Sequence, residues 1–287
     1  MKPRHPALLA VFAHPDDELF HGGILAHLAE RGARVQLLCM THGEAGRVKD
    51  PALEGADLPR LRTEELRLSC ERLGIDPPVI LDFHDSGRLD HFRRDDARAL
   101  ANTDLLEAES AVRAVIGRVK PQVILTHDPH GGYLHPDHLA THRVVTAAFF
   151  SSGVMGDEAP DRLVYGTLAL DVARVFVSHD RGPARGLDPE VMGVADSTIA
   201  YAFDARPYMD RKLAALAAHR SQFGLTLETL DNPPPPRAEM LRAFRPVFER
   251  EVFMLGGSRG ALPSWPMKDL FEGLAVTAAG DGALQGT

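Results

Sequence analysis

Through the first half of the chain, short apolar runs alternate with longer stretches whose apolar positions recur every three or four residues. Residues 8–13 form an unbroken apolar run bounded by turn chemistry, the pattern of a strand buried on both faces. Ile24, Leu25 and Leu28 follow helical spacing, and Gly32 stands where that helix would stop. Residues 35–40 read as a second strand, 61–73 as a helix closed by Gly74, and 79–83 as a third strand after Pro77-Pro78. A helix over 104–119 carries Leu105, Val112, Val115, Ile116 and Val119, with Pro121 just beyond it. Residues 123–126 read as a fourth strand, and 139–150 as a helix ending near Gly153. This order predicts an α/β fold: a Rossmann-like, doubly wound, mostly parallel sheet with helices on both faces.

After residue 155 the rhythm weakens. Segments 163–170 and 174–178 read as further strands, and 209–222 as a helix, with the prolines of 233–236 breaking the chain after it. A short helix over 238–245 would stop at Pro246. The expected organisation is a catalytic core over 5–155, a smaller C-terminal lobe over 156–275 completing the substrate pocket, and a disordered tail over 276–287.

Composition narrows the function classes. With 287 residues the chain can bury roughly three quarters of its unfolded surface. Lys and Arg number 32 against 40 Asp and Glu, a net charge of −8 that gives no footprint for nucleic acid. No apolar run reaches the roughly 18–20 residues of a membrane span. The apolar 7–13 segment runs into His-Pro-Asp-Asp-Glu without a small-residue cleavage site, so it reads as a strand rather than a signal peptide. Two separated cysteines, Cys39 and Cys70, exclude a disulfide framework and fit a reducing, cytoplasmic setting.

Fourteen histidines, several clustered with aspartate, turn attention to a metal. Ala13-His14-Pro15-Asp16-Asp17-Glu18 follows the first strand, and Tyr133-Leu134-His135-Pro136-Asp137-His138 follows the fourth. In open α/β sheets ligands bind beyond the carboxyl ends of strands where the strand order reverses, and the first and fourth strands commonly flank that point. His14 with Asp17, and His135 with His138, are each three apart. His14, Asp17 and His138 could thus hold a catalytic metal and leave one position open. Asp16 would remain beside it as general base, and His135 would serve an oxyanion or a leaving amine. A lone His-Pro-Asp is ordinary turn chemistry, with proline fixing φ and aspartate capping a helix. Two such clusters at strand ends, one holding adjacent aspartates that repel without a cation, favour the metal.

These motifs make the chain resemble the PIG-L/LmbE family of zinc-dependent N-deacetylases acting on N-acetylglucosamine-containing molecules. The resemblance extends over roughly 5–225. It includes Thr41-His42-Gly43-Glu44-Ala45-Gly46, Arg62 with Glu65, Asp85-Ser86-Gly87, and the run from Lys212 to Ala218-His219-Arg220-Ser221-Gln222. It implies His14, Asp17 and His138 as metal ligands, Asp16 as the base, and His135 as oxyanion stabiliser with Asp137 orienting its imidazole. Tyr133 would help polarise the amide carbonyl, and Glu44, Arg62 and Asp85 would contact the sugar and its aglycone. The implied cofactor is Zn2+, which Fe2+ could replace at a site of two His and one Asp.

The sequence departs from mycothiol-pathway members at Arg88, Phe20 and His21, all expected to line the pocket. Arg88 with Arg62 would suit an anionic aglycone such as malate. The expected partner is a small amino-sugar conjugate; homo-oligomerisation stays open. Competing readings are an amidase cleaving a bulkier thiol conjugate at the same metal, and a non-catalytic carbohydrate- or nucleotide-binding module. The acidic His14–Asp17 turn stands where a nucleotide-binding module would have a glycine-rich loop. His127, His130 and His142 read as surface or capping residues and Trp265 as core. His42 and His84 stay open, and loop 47–59 reads as an active-site flap.

Overall fold

The structure, a computed structural model, describes residues 3–277 except 155, 157, 179–183, 185 and 261. Seven strands are present among the described residues: β1 (Ala7–Phe12), β2 (Arg34–Thr41), β3 (Val79–Phe83), β4 (Val123–His127), β5 (Arg162–Thr167), β6 (Tyr201–Asp204) and β7 (Arg250–Ser258). They form one sheet in the order β3-β2-β1-β4-β5-β7-β6. The first five are parallel, and β7 runs antiparallel to both β5 and β6. The chain leaves β1 toward β2 and β3, then crosses back to β4 on the other side. The carboxyl ends of β1 and β4 therefore border the switch point.

Alternation along β1 explains its unbroken apolar run. Leu8, Ala10 and Phe12 pack with Ile24, Leu25, Leu66 and Leu73 on one face, and Leu9 and Val11 with Val112, Val115, Ile116 and Val145 on the other. The helices Gly22–Glu30 and Leu58–Leu73 cover the first face, and Leu105–Val119 and Pro136–Ser151 the second.

The second half differs from expectation in several places. It extends the sheet across residue 155, with β5, β7 and β6 continuing from β4. Segment 174–178 lies largely in a helix, Leu170–Val177, although its valines and phenylalanine favour strand. Val172, Ala173 and Phe176 are its buried residues, so packing of one helical face overrides local propensity. β6 and β7 were not foreseen: β7 follows directly on the helix Pro235–Glu249, with no Gly or Pro signal to mark its start. That helix continues through Pro246, where Val247 and Phe248 bury into the core. The predicted 209–222 helix divides into Met209–Leu216 and Arg220–Phe223. Trp265 is exposed rather than core. Of the predicted tail, Val276 pairs with Arg4, and 278–287 lie outside the described residues.

One buried ion pair ties the sheet to the helix that follows the first motif. Glu251 on β7 accepts the N–H groups of Gly23 and Ile24, each at 2.8 Å, among the donors that a helix start leaves unpaired. Lys212 Nζ donates to Glu251 at 2.5 Å and to the Phe248 carbonyl at 2.9 Å. Both side chains are fully buried.

Candidate metal centre

Beyond β1 the chain turns sharply. Asp16 has φ 111° and ψ −16°, a conformation that non-glycine residues rarely adopt. Its surroundings enforce it. The Asp16 N–H donates to Glu18 Oε2 at 2.9 Å, and the His14 N–H to Asp17 Oδ2 at 2.8 Å. Buried Arg62 donates to the carbonyls of Pro15 and Gly43 and lies 3.2 Å from Asp16 Oδ2. Glu18 is buried and accepts from Ser69 Oγ and His219 Nε2, both at 2.6 Å. Burial alone would raise the Glu18 pKa, but His219 and Ser69 overturn that and hold it below the usual range. The break in the predicted 209–222 helix falls where His219 turns to Glu18 and Ser221 binds Glu65.

Gly43 makes the Arg62 clamp possible. At φ +65°, a Cβ there would lie 2.2 Å from Arg62 Nη1. Gly43→Ala should therefore cost about 2–4 kcal/mol, combining left-handed strain with a displaced guanidinium. Gly55→Ala, also at positive φ but with nothing within 4 Å, should cost only about 1–2 kcal/mol. Denaturant midpoints of the two variants check this; equal losses would remove the clamp from the account.

The first and fourth strands bring the predicted ligands together. His14 Nδ1 lies 3.2 Å from His138 Nε2, His138 Nε2 lies 3.2 Å from Asp17 Oδ1, and His14 Nδ1 lies 3.6 Å from Asp17 Oδ2. Donors around a tetrahedral zinc at 2.0–2.1 Å stand about 3.3 Å apart; the His14–His138 and His138–Asp17 spacings match this, while His14 faces the other Asp17 oxygen. Each imidazole has its other nitrogen occupied: His14 Nε2 bonds Asp137 Oδ2 at 3.0 Å, and His138 Nδ1 the Gly131 carbonyl at 3.1 Å. This backing leaves Nδ1 of His14 and Nε2 of His138 facing Asp17 and free to take a cation. Burial would lower the His14 pKa, but Asp85, Asp137 and Asp17 overturn it and raise it well above normal, so the surroundings call for a positive charge.

Three donor triples among the described residues are close enough to hold an ion, Asp17/His127/His138, His14/His135/His138 and His14/Asp85/Asp137, and each shares residues with the predicted set. In the first, His127 Nε2 already accepts the Ala13 N–H at 3.2 Å, and its ring lies flat on His138, centroids 4.1 Å apart. In the second, His135 Nδ1 accepts the Asp137 N–H at 3.2 Å. The orientation implied for Asp137 thus comes through its backbone, while its carboxylate serves His14 and the Ser86 N–H. Burial, then His14 and His138, push His135 down to about 2, leaving a neutral ring whose Nε2 carries the proton.

The remaining predicted residues surround this centre. Tyr133 stands edge-on to His138 and His135, and burial raises its phenol pKa. Arg88 is half exposed, with its guanidinium 5.7 Å above the Tyr133 ring. Arg62 is turned inward, so an Arg62–Arg88 anion clamp is not formed. Asp85 accepts the Gly87 and Ala45 N–H groups and lies 3.5 Å from His14 Nε2. Glu44 Oε1 accepts the Asp85 N–H, and its Oε2 is buried without a partner. Loop 47–59 is pinned by the Lys49 N–H on the Ser221 carbonyl and by an Asp50–Arg220 ion pair. His42 and His84 bind Thr63 and Asp96.

Sequence reading missed Ser69 and the bracing role of Glu18 and His219, and it took for a surface or capping residue His127, which is buried 3.5 Å from Asp17 and stacked on His138. A signal for His127 existed, since it closes β4 much as His14 follows β1.

No helix among the described residues is long and apolar enough to cross a membrane. Among solved structures, the N,N'-diacetylchitobiose deacetylase of Pyrococcus horikoshii superposes with a TM-score of 0.57 at 18% identity, covering 87% of this chain and 83% of that one. The 4-carboxy-2-hydroxymuconate hydratase GalB of Pseudomonas putida reaches 0.56 at 20%, covering 89% and 98%. One fold thus carries different reactions, and these likenesses speak to architecture alone. Sequence similarity is closer. A 1D-myo-inositol 2-acetamido-2-deoxy-α-D-glucopyranoside deacetylase of Geodermatophilus obscurus is 34% identical over 301 residues, 93% of this chain and 97% of the relative. The enzyme of the same name from Mycobacteroides abscessus is 34% identical over 285 residues, 94% and 98%. The model of the family described as PIG-L, GlcNAc-PI de-N-acetylase, matches residues 9–149, from β1 into the helix that bears His138. With relatives this similar over nearly their whole length, the chain belongs to the PIG-L family of GlcNAc-PI de-N-acetylases.

Proposed function

We propose that the protein is a zinc-dependent hydrolase that removes the N-acetyl group from an N-acetylglucosamine conjugate, as the names of its curated relatives describe for a glucosaminyl-inositol. The observation that carries this reading is the convergence of His14, Asp17 and His138, with the Asp16 carboxylate next in the chain and paired with Arg62. Those three residues would hold the metal, which when bound supplies an electrophile for the amide oxygen and acidifies a water.

The chain's own groups do the rest. Asp16 takes the proton of the attacking water and returns it to the departing nitrogen, so amide and water become acetate and a free amine. His135, fixed as the Nε2–H tautomer, donates to the oxygen that gains charge. Tyr133, kept protonated by burial, adds a second donor there. Glu44, Asp85 and Arg88 meet the sugar and its aglycone, while Arg62, turned inward on the Pro15 and Gly43 carbonyls, holds the turn that carries Asp16.

The test is primary-amine release by the zinc-loaded protein from N-acetylglucosamine, its inositol and malate conjugates, diacetylchitobiose and a bulky thiol conjugate. Release should favour an N-acetylglucosamine conjugate, and His135→Ala should lower it by about 10²–10³ with metal content unchanged. Cleavage of the thiol conjugate alone would move the protein to the amidases.

A further inference from the structure

A second space adjoins Asp17 and His138. Asp17, His138 and Tyr133 form one wall of a cavity of about 60 Å³, and Phe20, His21, Leu168 and Phe176 close much of the rest. None of Glu44, Asp85 or Arg88, the residues assigned to the sugar, lines it. An amide whose carbonyl lies at the triad therefore has one end toward those loops and the other in this cavity. Sixty cubic ångströms admits about four to six water-sized groups, several more than the single methyl of an acetyl group.

The walls are held rigidly. Phe20 meets Phe176, Phe244 and Phe248 edge-on at 6.1–6.4 Å. The His21 ring stacks on Phe12 and leans on Phe253, both at 5.5 Å, and fills the space that a Cβ on Gly166 would need, 2.1 Å away. His21 lines the cavity and is 7% exposed, and among the described residues no hydrogen bond reaches its ring; Nδ1 is sealed in the packing, which leaves Nε2 as the nitrogen that can face the cavity. A phenylalanine would pack as well without a polar edge, so that nitrogen has meaning toward something that enters the cavity. The other polar lining residues are already engaged: Asp128 accepts from the Thr167 hydroxyl and the His130 and Gly132 N–H groups, and His127 Nε2 accepts the Ala13 N–H. With Asp17, Asp128 makes the cavity hostile to a second carboxylate.

We propose that this cavity is an acyl pocket for an uncharged acyl group longer than acetyl, with a hydrogen-bonding atom on its chain that meets His21. The inference rests on the N-deacylase reading of the metal centre and extends its substrate class. Each buried methylene beyond acetyl should improve kcat/KM about fourfold, and a hydrogen bond to His21 should add about three- to tenfold.

The experiment compares N-acetyl-, N-butyryl-, N-(3-hydroxybutyryl)- and N-succinylglucosamine with the zinc-loaded full chain and its His21→Phe variant. Calorimetric titration of both proteins with acetate, butyrate and 3-hydroxybutyrate runs in parallel. Butyryl should exceed acetyl by about fifteenfold, 3-hydroxybutyryl should exceed butyryl, and succinyl should fall below all three. His21→Phe should abolish only the hydroxyl preference. These are ratios within one preparation, so partial misfolding of the variant does not alter them. Acetyl favoured tenfold over butyryl, with the longer acids binding no tighter than acetate, would overturn the pocket and leave the deacetylase reading intact. If no amide is cleaved, the deacetylase reading falls and the acid titrations alone decide the pocket: tighter binding of 3-hydroxybutyrate, lost in His21→Phe, supports it, and equal binding ends it.

Discussion

Replacing Asp16 with Asn should lower amide hydrolysis by about 10²–10⁴, the range that a positioned general base supplies. Zinc content and melting temperature should hardly change. Asn keeps the size and hydrogen-bonding shape of the side chain and tolerates positive φ better than most residues. Burial pushes the Asp16 pKa up, Arg62 opposes this, and Asp17 and Glu18 add to it, with a net rise above the usual carboxylate value. A group whose folded pKa lies above its unfolded value stabilises the fold at low pH, and that contribution is lost as pH rises through the folded pKa. At neutral pH the ionised Asp16 therefore opposes folding, and the neutral amide should be as stable as wild type or more so. The same shift sets the acid limb of the wild-type rate profile, which should rise with pH through a value above 3.8 as Asp16 deprotonates. Stopped amine-release assays across pH, beside metal analysis and thermal melts, decide the matter. Activity within tenfold of wild type would place the base elsewhere.

The site was legible because its chemistry is local. His14, Asp16 and Asp17 are separated by one turn of chain, as are His135 and His138, and the βαβ rhythm places both turns at the ends of neighbouring strands. β1 could likewise be read from its unbroken apolar run, since burial on both faces writes a continuous signal, and the other parallel strands from short apolar segments set between helical patterns. What the sequence hid depends on partners far away. Glu18 reads as the end of an acidic motif until His219, some two hundred residues on, supplies its counter-charge. Arg62 reads as an anion receptor, yet its hydrogen bonds go to Pro15 and Gly43 and its charge sits beside Asp16. β7 was invisible because its antiparallel pairing is satisfied by strands before it in the chain, and no turn residue announces it.

Lys212→Met is expected to produce the largest loss of stability, about 3–5 kcal/mol. Lys212 lies in the late helical motif, where a lysine could be taken for a catalytic group. Its ammonium instead faces Glu251 and the Phe248 carbonyl in full burial. Burial lowers its pKa and Glu251 opposes that. Removing it strands a carboxylate in an apolar interior. The loss should lower the melting temperature by roughly 6–20 °C for a chain of this length. Adding Glu251→Gln removes the stranded charge and keeps one acceptor for the Gly23 or Ile24 N–H, so the double variant should recover more than half of the loss. That recovery separates an electrostatic cause from a packing cause, because Met alone fills most of the lysine stem. Amine release at 25 °C should persist in both variants, as neither residue reaches the metal triad. A Lys212→Met protein that melts normally but no longer turns over would return Lys212 to the catalytic machinery.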